Sequence, residues 1–308
     1  MQVCIGVPSA CEAAVHAMDR LFWKPACQGV LLVDASNAFN ALNRSAAIHN
    51  VPRICPAMAN VFANTYSKPI RLFVTGGGEI CSEEGTCQGD PLAMAIYSIA
   101  IMPLIRKLNS SCPSTTQCWY ADDDGAADYI VALRRYWQVL TEIGLGYGCF
   151  SNPIKTMLLT KIEHQEEASR LFADTGVSIR TDGCRYLGGA IGERQFCHSF
   201  VTALAEKWSD DLRTLAHLAQ TQPHAAYTVF TKGLLARWKY HLRCTECFPE
   251  VFETLDNVIN SSFLPALTGR DFTNDQPERV LVSLPVHHGG LAIPRLASIV
   301  ADETRRHW

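Results

Sequence analysis

Three consecutive carboxylates, Asp122-Asp123-Asp124, follow the short run Gln117-Cys118-Trp119-Tyr120 after a single alanine and precede Gly125-Ala126-Ala127. Aromatics, then acids, then glycine and small residues predict a strand, a tight turn and a second strand. A turn this dense in like charge is costly by itself, because neighbouring carboxylates raise each other's pKa. A divalent cation removes that cost, and hard cations such as Mg²⁺ take oxygen ligands, often one or two carboxylates plus substrate phosphates. The plain alternative is a solvated acidic turn. The rest of the chain decides between the two.

A second acid stands where a partner is needed. Gly29-Val30-Leu31-Leu32-Val33 is a continuous apolar run ending in Asp34. Such a run suits a strand covered on both faces, with its last residue emerging at the end of the sheet. If this strand neighbours the acidic hairpin, carboxylates from two strands converge, the arrangement with which two-metal sites stabilise the attacking and leaving oxygens of phosphoryl transfer. Around these strands the pattern predicts helices over 9–23 (with a capping box from Ser9 and Glu12), 43–50, 56–66 and 129–143, and a hairpin over 70–78. Asp90 as N-cap and Pro91 at the first helical position predict a buried helix over 92–108, and residues 151–159 a further strand. Residues 186–192 read as a glycine-rich hairpin, and long helical patterns follow over 199–220, 225–242 and 249–264. This order predicts an α+β fold with a mainly antiparallel sheet, then a helical region from about residue 196.

Composition narrows the classes. With 308 residues, 48% of them apolar, the chain can bury a large core, and 19% charge excludes a disordered or coiled-coil protein. A net charge of −3 excludes a globally basic nucleic-acid coat but not a basic face. Residues 185–243 supply one: eight Lys/Arg against four acids, with Trp238 and Tyr240 among them. Such a surface gives salt-dependent, sequence-independent binding; its plain counterpart is an ordinary solvated helix surface. Thirteen cysteines at irregular spacing fit reduced thiols and an intracellular location better than a disulfide scaffold. Cys244-Thr-Glu-Cys247 is the one CxxC, and no second pair follows it at zinc-finger spacing, which argues against a zinc site even with His287-His288 further on. No apolar run reaches the ~20 residues of a membrane span, so no membrane partner is expected.

Taken in order, Asp34…Ala38-Phe39-Asn40, Gln88-Gly89-Asp90-Pro91-Leu92, Tyr120-Ala121-Asp122-Asp123 and Asn152-Pro153-Ile154-Lys155-Thr156 resemble the motifs of a reverse transcriptase, an RNA-directed DNA polymerase, most like those of non-LTR retrotransposons. The resemblance covers roughly residues 28–192. It implies a polymerase palm over 29–195, a remnant of the fingers over 1–28 and a thumb-like helical region over 196–308. It also implies two Mg²⁺ ions (Mn²⁺ being a possible substitute) and, as partners, an RNA template, a DNA primer and dNTPs. Asp34, Asp122 and Asp123 match the metal ligands, Asp123 being the second acid of the turn. Phe39 matches the aromatic under the incoming sugar, which excludes a 2′-OH by steric clash. Gln88 and Gly89 match the loop at template and nucleotide, with Tyr120 beside them. Lys155 is the candidate to neutralise or protonate the departing pyrophosphate, and Leu187-Gly188 resembles the primer grip. Without the resemblance, Phe39 reads as core, Lys155 as a surface lysine and Tyr120 as packing.

Where the family carries extensive fingers, only 33 residues precede Asp34. The expectation is therefore a piece of a longer element-encoded protein that binds primer-template but extends it feebly or not at all. Two other functions compete: an RNA-dependent RNA polymerase, which Phe39 disfavours, and an idle or co-opted nucleic-acid-binding remnant.

Overall fold

A computed structural model describes residues 2–3, 6–246, 248–272 and 277–300. The chain divides into two compact units, Met1–Leu187 and Gly188–Trp308.

The first unit opens with helix α1 (Ala10–Phe22) and strand β1 (Gly29–Val33), followed by α2 (Ala38–Ala41), α3 (Arg44–Ile54) and α4 (Ala59–Tyr66). The hairpin β2 (Ile70–Val74) and β3 (Gly78–Ser82) precedes α5 (Ala93–Ala100) and α6 (Met102–Ser111). Then come β4 (Thr116–Tyr120), β5 (Asp123–Asp128), α7 (Ile130–Ile143), β6 (Met157–Thr160), α8 (Gln165–Leu171), β7 (Ser178–Arg180) and β8 (Gly183–Tyr186). The central sheet runs β4-β5-β1-β6-β7, antiparallel except for the β6–β7 pair. The fold is therefore α+β with a mainly antiparallel sheet. β1 is buried along its whole length, as its unbroken apolar run requires. Leu31 and Val33, with Trp119 and Ala126 of the flanking strands, pack into one core with Ile96, Leu104, Leu133 and Leu140 of the helices.

Three local expectations are corrected. Ser9 lies in the left-handed region (φ 52°) and its side chain caps nothing, so no capping box opens α1. The apolar stretch over 92–108 forms two helices. Its Met102-Pro103 pair falls at their junction, where proline is tolerated in a first turn but not in a helix interior. Asp90 caps the preceding turn through Leu92 N–H (2.8 Å) and the helix proper starts at Ala93.

The second unit begins at Gly188 and contains β9 (Gly189–Gly192), α9 (Arg194–Thr221), α10 (Pro223–Val229), α11 (Leu235–Cys244), α12 (Pro249–Val258), α13 (Leu264–Thr268) and α14 (Pro277–Ser283). Single π-helical turns, Phe230–Leu234 and Ile259–Phe263, join α10 to α11 and α12 to α13. Phe230 and Phe263 stack at 4.9 Å, so the two wide turns present facing rings to one core. Trp238 is wholly buried in that core against Trp208 (5.7 Å) and therefore offers no stacking surface to nucleic acid. Among the described residues, no helix is long and apolar enough to cross a membrane, and no His, Cys, Asp and Glu side chains gather into a metal cage. Cys247 lies outside the described residues.

Candidate active site

The two acidic elements meet because their strands are neighbours. β1 pairs with β5 with Val33 opposite Asp124, so continuing the ladder by one residue sets Asp34 beside Asp123. β5 also pairs with β4, Tyr120 opposite Asp123, which leaves Ala121-Asp122 as a two-residue turn. Ala121 has a φ of 53° while Asp122 does not turn positive, the pattern of a II′ hairpin turn whose first position normally takes glycine. The strained alanine is fixed from outside the hairpin. Gln2 accepts from Ala121 N–H (2.9 Å) and donates to Ala121 C=O (3.1 Å).

Strand alternation then sorts the three acids. Asp124 turns into the core, 1% exposed, and accepts a 2.6 Å hydrogen bond from the Tyr136 hydroxyl. Burial, opposed by that bond, pushes its carboxyl up to about 7. Asp123 emerges on the other face, in a cavity of about 110 Å³ that it shares with Asp34, Lys155, Arg185, Tyr186 and Leu187. Burial raises Asp123 to about 6, and the charges of Asp122 and Asp34 add to the rise. Asp122 is raised by burial first and by Asp34 as well. Asp34, Asp122 and Asp123 thus lie within each other's electrostatic reach, while Asp124 belongs to the core.

Lys155 reaches Asp34 through its own loop. Asn152 N–H donates to Asp34 C=O (2.8 Å), and Asn152 Oδ1 accepts from the N–H groups of Ile154 (3.1 Å) and Lys155 (3.4 Å), a side-chain-closed turn. Lys155 Nζ then lies 3.7 Å from Asp34 Oδ2, an ion-pair distance too long for a hydrogen bond.

Phe39 sits on α2, half-buried, its ring 4.9 Å from that of Tyr97 on α5. Glycines hold this short helix from both sides. Gly85 (φ 73°) lies where an added Cβ would stand 2.3 Å from Phe39 and Asn40 backbone, and at Gly148 (φ 73°) it would stand 1.9 Å from Ala41 O. The Thr86 N–H to Phe39 C=O bond, 2.6 Å, closes the clamp. Arg44, almost fully buried, holds the Gly85 side in place by donating to Gly85 C=O (2.8 Å) and Ser82 C=O (2.7 Å). Gln88 and Gly89 are exposed in the loop that follows. Gly89 has a φ of 93° with open space around it, and Tyr66 donates to Asp90 beside it. Leu187 lines the acidic cavity; Gly188 opens the second unit, facing Tyr240 there.

No family model matches the chain, and no curated protein matches it in sequence. Solved structures do. The telomerase of Candida albicans, determined in complex with a TWJ fragment of telomeric RNA, is similar over 87% of this chain and 49% of its own, with a TM-score of 0.45 and 11% identity. Apo telomerase of Candida tropicalis is similar over 95% and 49%, with a TM-score of 0.46 and again 11% identity. The chain spans about half the length of each.

The donor set itself fits a divalent cation. Asp34 Oδ2 is buried with no hydrogen-bond partner among the described residues, and Asp122 and Asp123 are both held above the usual carboxylate range partly by neighbouring charge. Such a group is relieved by a cation, and an ion that shares its coordination with water and phosphate needs no closed protein cage. Residue type alone did not reveal Gln2, Arg185, Tyr186 or Tyr97. Arg185 reads as part of the basic run that follows it, yet it lines the acidic cavity. The one signal was its place two residues before Leu187-Gly188.

Proposed function

We propose that the chain is the palm and following helical region of an RNA-directed DNA polymerase of the non-LTR retrotransposon kind, adding dNTPs to a primer 3′-OH on an RNA template. The observation that carries this reading is the meeting of Asp34 with Asp122 and Asp123 on adjacent strands, with Lys155 3.7 Å from Asp34. Carboxylates at the end of a sheet, an ammonium beside them and an aromatic on a clamped short helix are the parts that transfer of a nucleotidyl group from a dNTP to a primer 3′-OH would use.

In this reading Asp34 and Asp122 hold two Mg²⁺ ions and Asp123 supports them. Bound there, the ions supply charge stabilisation for the attacking and leaving oxygens. Lys155, 3.7 Å from Asp34 Oδ2, balances charge and holds a proton for the leaving pyrophosphate in this reading. Phe39 faces the sugar and excludes a 2′-OH. Gln88-Gly89 carries the templating pair, Gly89 permitting close backbone approach. Leu187 and Gly188 receive the primer end. Exposed Lys207, Lys232, Arg237, Lys239 and Arg243 of the second unit supply phosphate contacts.

A primer-extension assay on an RNA template, run on this chain joined to a reverse-transcriptase fingers segment, tests the proposal and separates its rivals. Use of dNTPs supports it, preferential use of NTPs indicates an RNA polymerase, and salt-sensitive binding without addition of either indicates a nucleic-acid-binding remnant.

A further inference from the structure

We propose that Tyr97 is the positioning residue for nucleotide sugar selection, holding the Phe39 ring at the height that excludes a 2′-OH. The inference rests on the role given to Phe39 under the proposed function and extends it to a residue with no place in the motif set.

Phe39 cannot fix itself. It lies on a helix of only four residues, and its ring is half-buried, so one face must be set by a neighbour. The backbone below the ring is rigid, clamped between Gly85 and Gly148, and its carbonyl is held by Thr86. The side-chain torsions remain, and the ring beside it is that of Tyr97, 4.9 Å away at a tilt of 34°. Tyr97 is itself fully buried, on α5 and packed in the same core as Ile96 and Leu104, so it moves only if the core moves. Aromatic pairs in this distance range prefer particular offsets and resist sliding.

The hydroxyl tells the same story by what it does not do. It finds no hydrogen-bond partner among the described residues, so ring packing, and not a polar tether, keeps Tyr97 in place. The phenol is also held well above its ordinary pKa by burial, with the charges of Asp122 and Asp123 contributing. The ring that seats Phe39 therefore lies within electrostatic reach of the acidic turn. A shift of Tyr97 moves the wall of the sugar pocket relative to the carboxylates, not the carboxylates themselves.

The test compares Tyr97→Phe, Tyr97→Met and Tyr97→Leu with Phe39→Val in the full chain, joined to a reverse-transcriptase fingers segment so that addition is measurable. A 4-fluorophenylalanine label at Phe39 in the three Tyr97 variants reports the ring's order by ¹⁹F NMR. Nucleotide preference is read in all four as the ratio of NTP to dNTP addition. Tyr97→Phe keeps the ring and should leave both readouts at wild-type values. Tyr97→Leu should broaden or shift the Phe39 resonance and raise the NTP/dNTP ratio by about tenfold, within what small volume changes in a pocket achieve. Tyr97→Met should do so more weakly and stands in if the leucine variant does not fold. An unmoved resonance in both aliphatic variants overturns the proposal. So does a moved resonance with an unchanged ratio while Phe39→Val changes it. If Phe39→Val also leaves the ratio unchanged, the sugar-facing role of Phe39 is wrong, and the inference about Tyr97 falls with it.

Discussion

Lys155 Nζ stands 3.7 Å from Asp34 Oδ2, the two being brought together because Asn152 N–H bonds to the Asp34 carbonyl. The pair is loose. Lys155 is two-thirds exposed, so the contact adds little to stability, and its worth lies in where it places an ammonium. Replacing Lys155 by Met should lower single-turnover addition roughly 10²-fold, the scale of a lost general acid, while the thermal midpoint stays near wild type. An unchanged rate would return Lys155 to the surface.

Phe39→Val should raise ribonucleotide use relative to deoxyribonucleotide, with a smaller effect on DNA synthesis, because the discrimination is a built-in clash. Competition between the two nucleotides on one template measures it. An unaltered preference would leave Phe39 as packing against Tyr97 and nothing more.

Two glycines with positive φ should respond differently to alanine. Gly85→Ala places a Cβ 2.3 Å from the Phe39 and Asn40 backbone and should destabilise the fold by about 3 kcal/mol or more. At Gly89, where nothing lies within 4 Å, the same change should cost only about 1 kcal/mol. Its effect should appear instead as weaker primer-template binding, since in the proposed function the added methyl would stand where the templating strand approaches. Denaturant unfolding beside a binding titration separates the pair; equal destabilisation would contradict the clamp.

Asp124 makes stability pH-dependent. Its carboxyl is pushed up to about 7 by burial, above its unfolded value, so the folded chain holds the proton more tightly. The stabilisation is complete below about pH 4 and is lost as pH rises through about 7. Asp124→Asn still accepts from Tyr136 but does not titrate. In metal-free buffer, the stability of wild type relative to this variant should fall by on the order of 4 kcal/mol between pH 4 and pH 8. A pH-independent difference would show that Asp124 is not the protonated core acid described.

Much of the first unit is legible in the sequence because two strong signals coincide there. The apolar run over 29–33 has to be a covered strand, and the aromatic-acid-glycine run has to be a hairpin; the structure makes them neighbours. The sorting of the acids is legible only with the register in hand, since strand alternation sends Asp124 inward and Asp123 outward. Ser9 and Glu12 match a capping box in letters, yet the left-handed backbone at Ser9 forbids it. Trp238 lies among basic residues in sequence and deep in a core in space, because each helical step turns the chain by about 100° and so carries Arg237 and Lys239 away from the buried face on either side of it. Long-range pins such as Gln2 on Ala121 and Arg44 on Gly85 leave no local pattern at all.

The most direct test of the central claim is single-turnover dNTP addition at saturating Mg²⁺, in a chain supplied with the fingers segment that reverse transcriptases carry. Wild type is compared with Asp34→Asn and Asp122→Asn. The account predicts addition by wild type, a loss of at least about 10²-fold in each variant, and duplex binding nearly unchanged in all three, because one carboxylate fewer removes both the charge and the geometry that a two-metal site imposes. Equal rates in wild type and either variant, zero included, would contradict it.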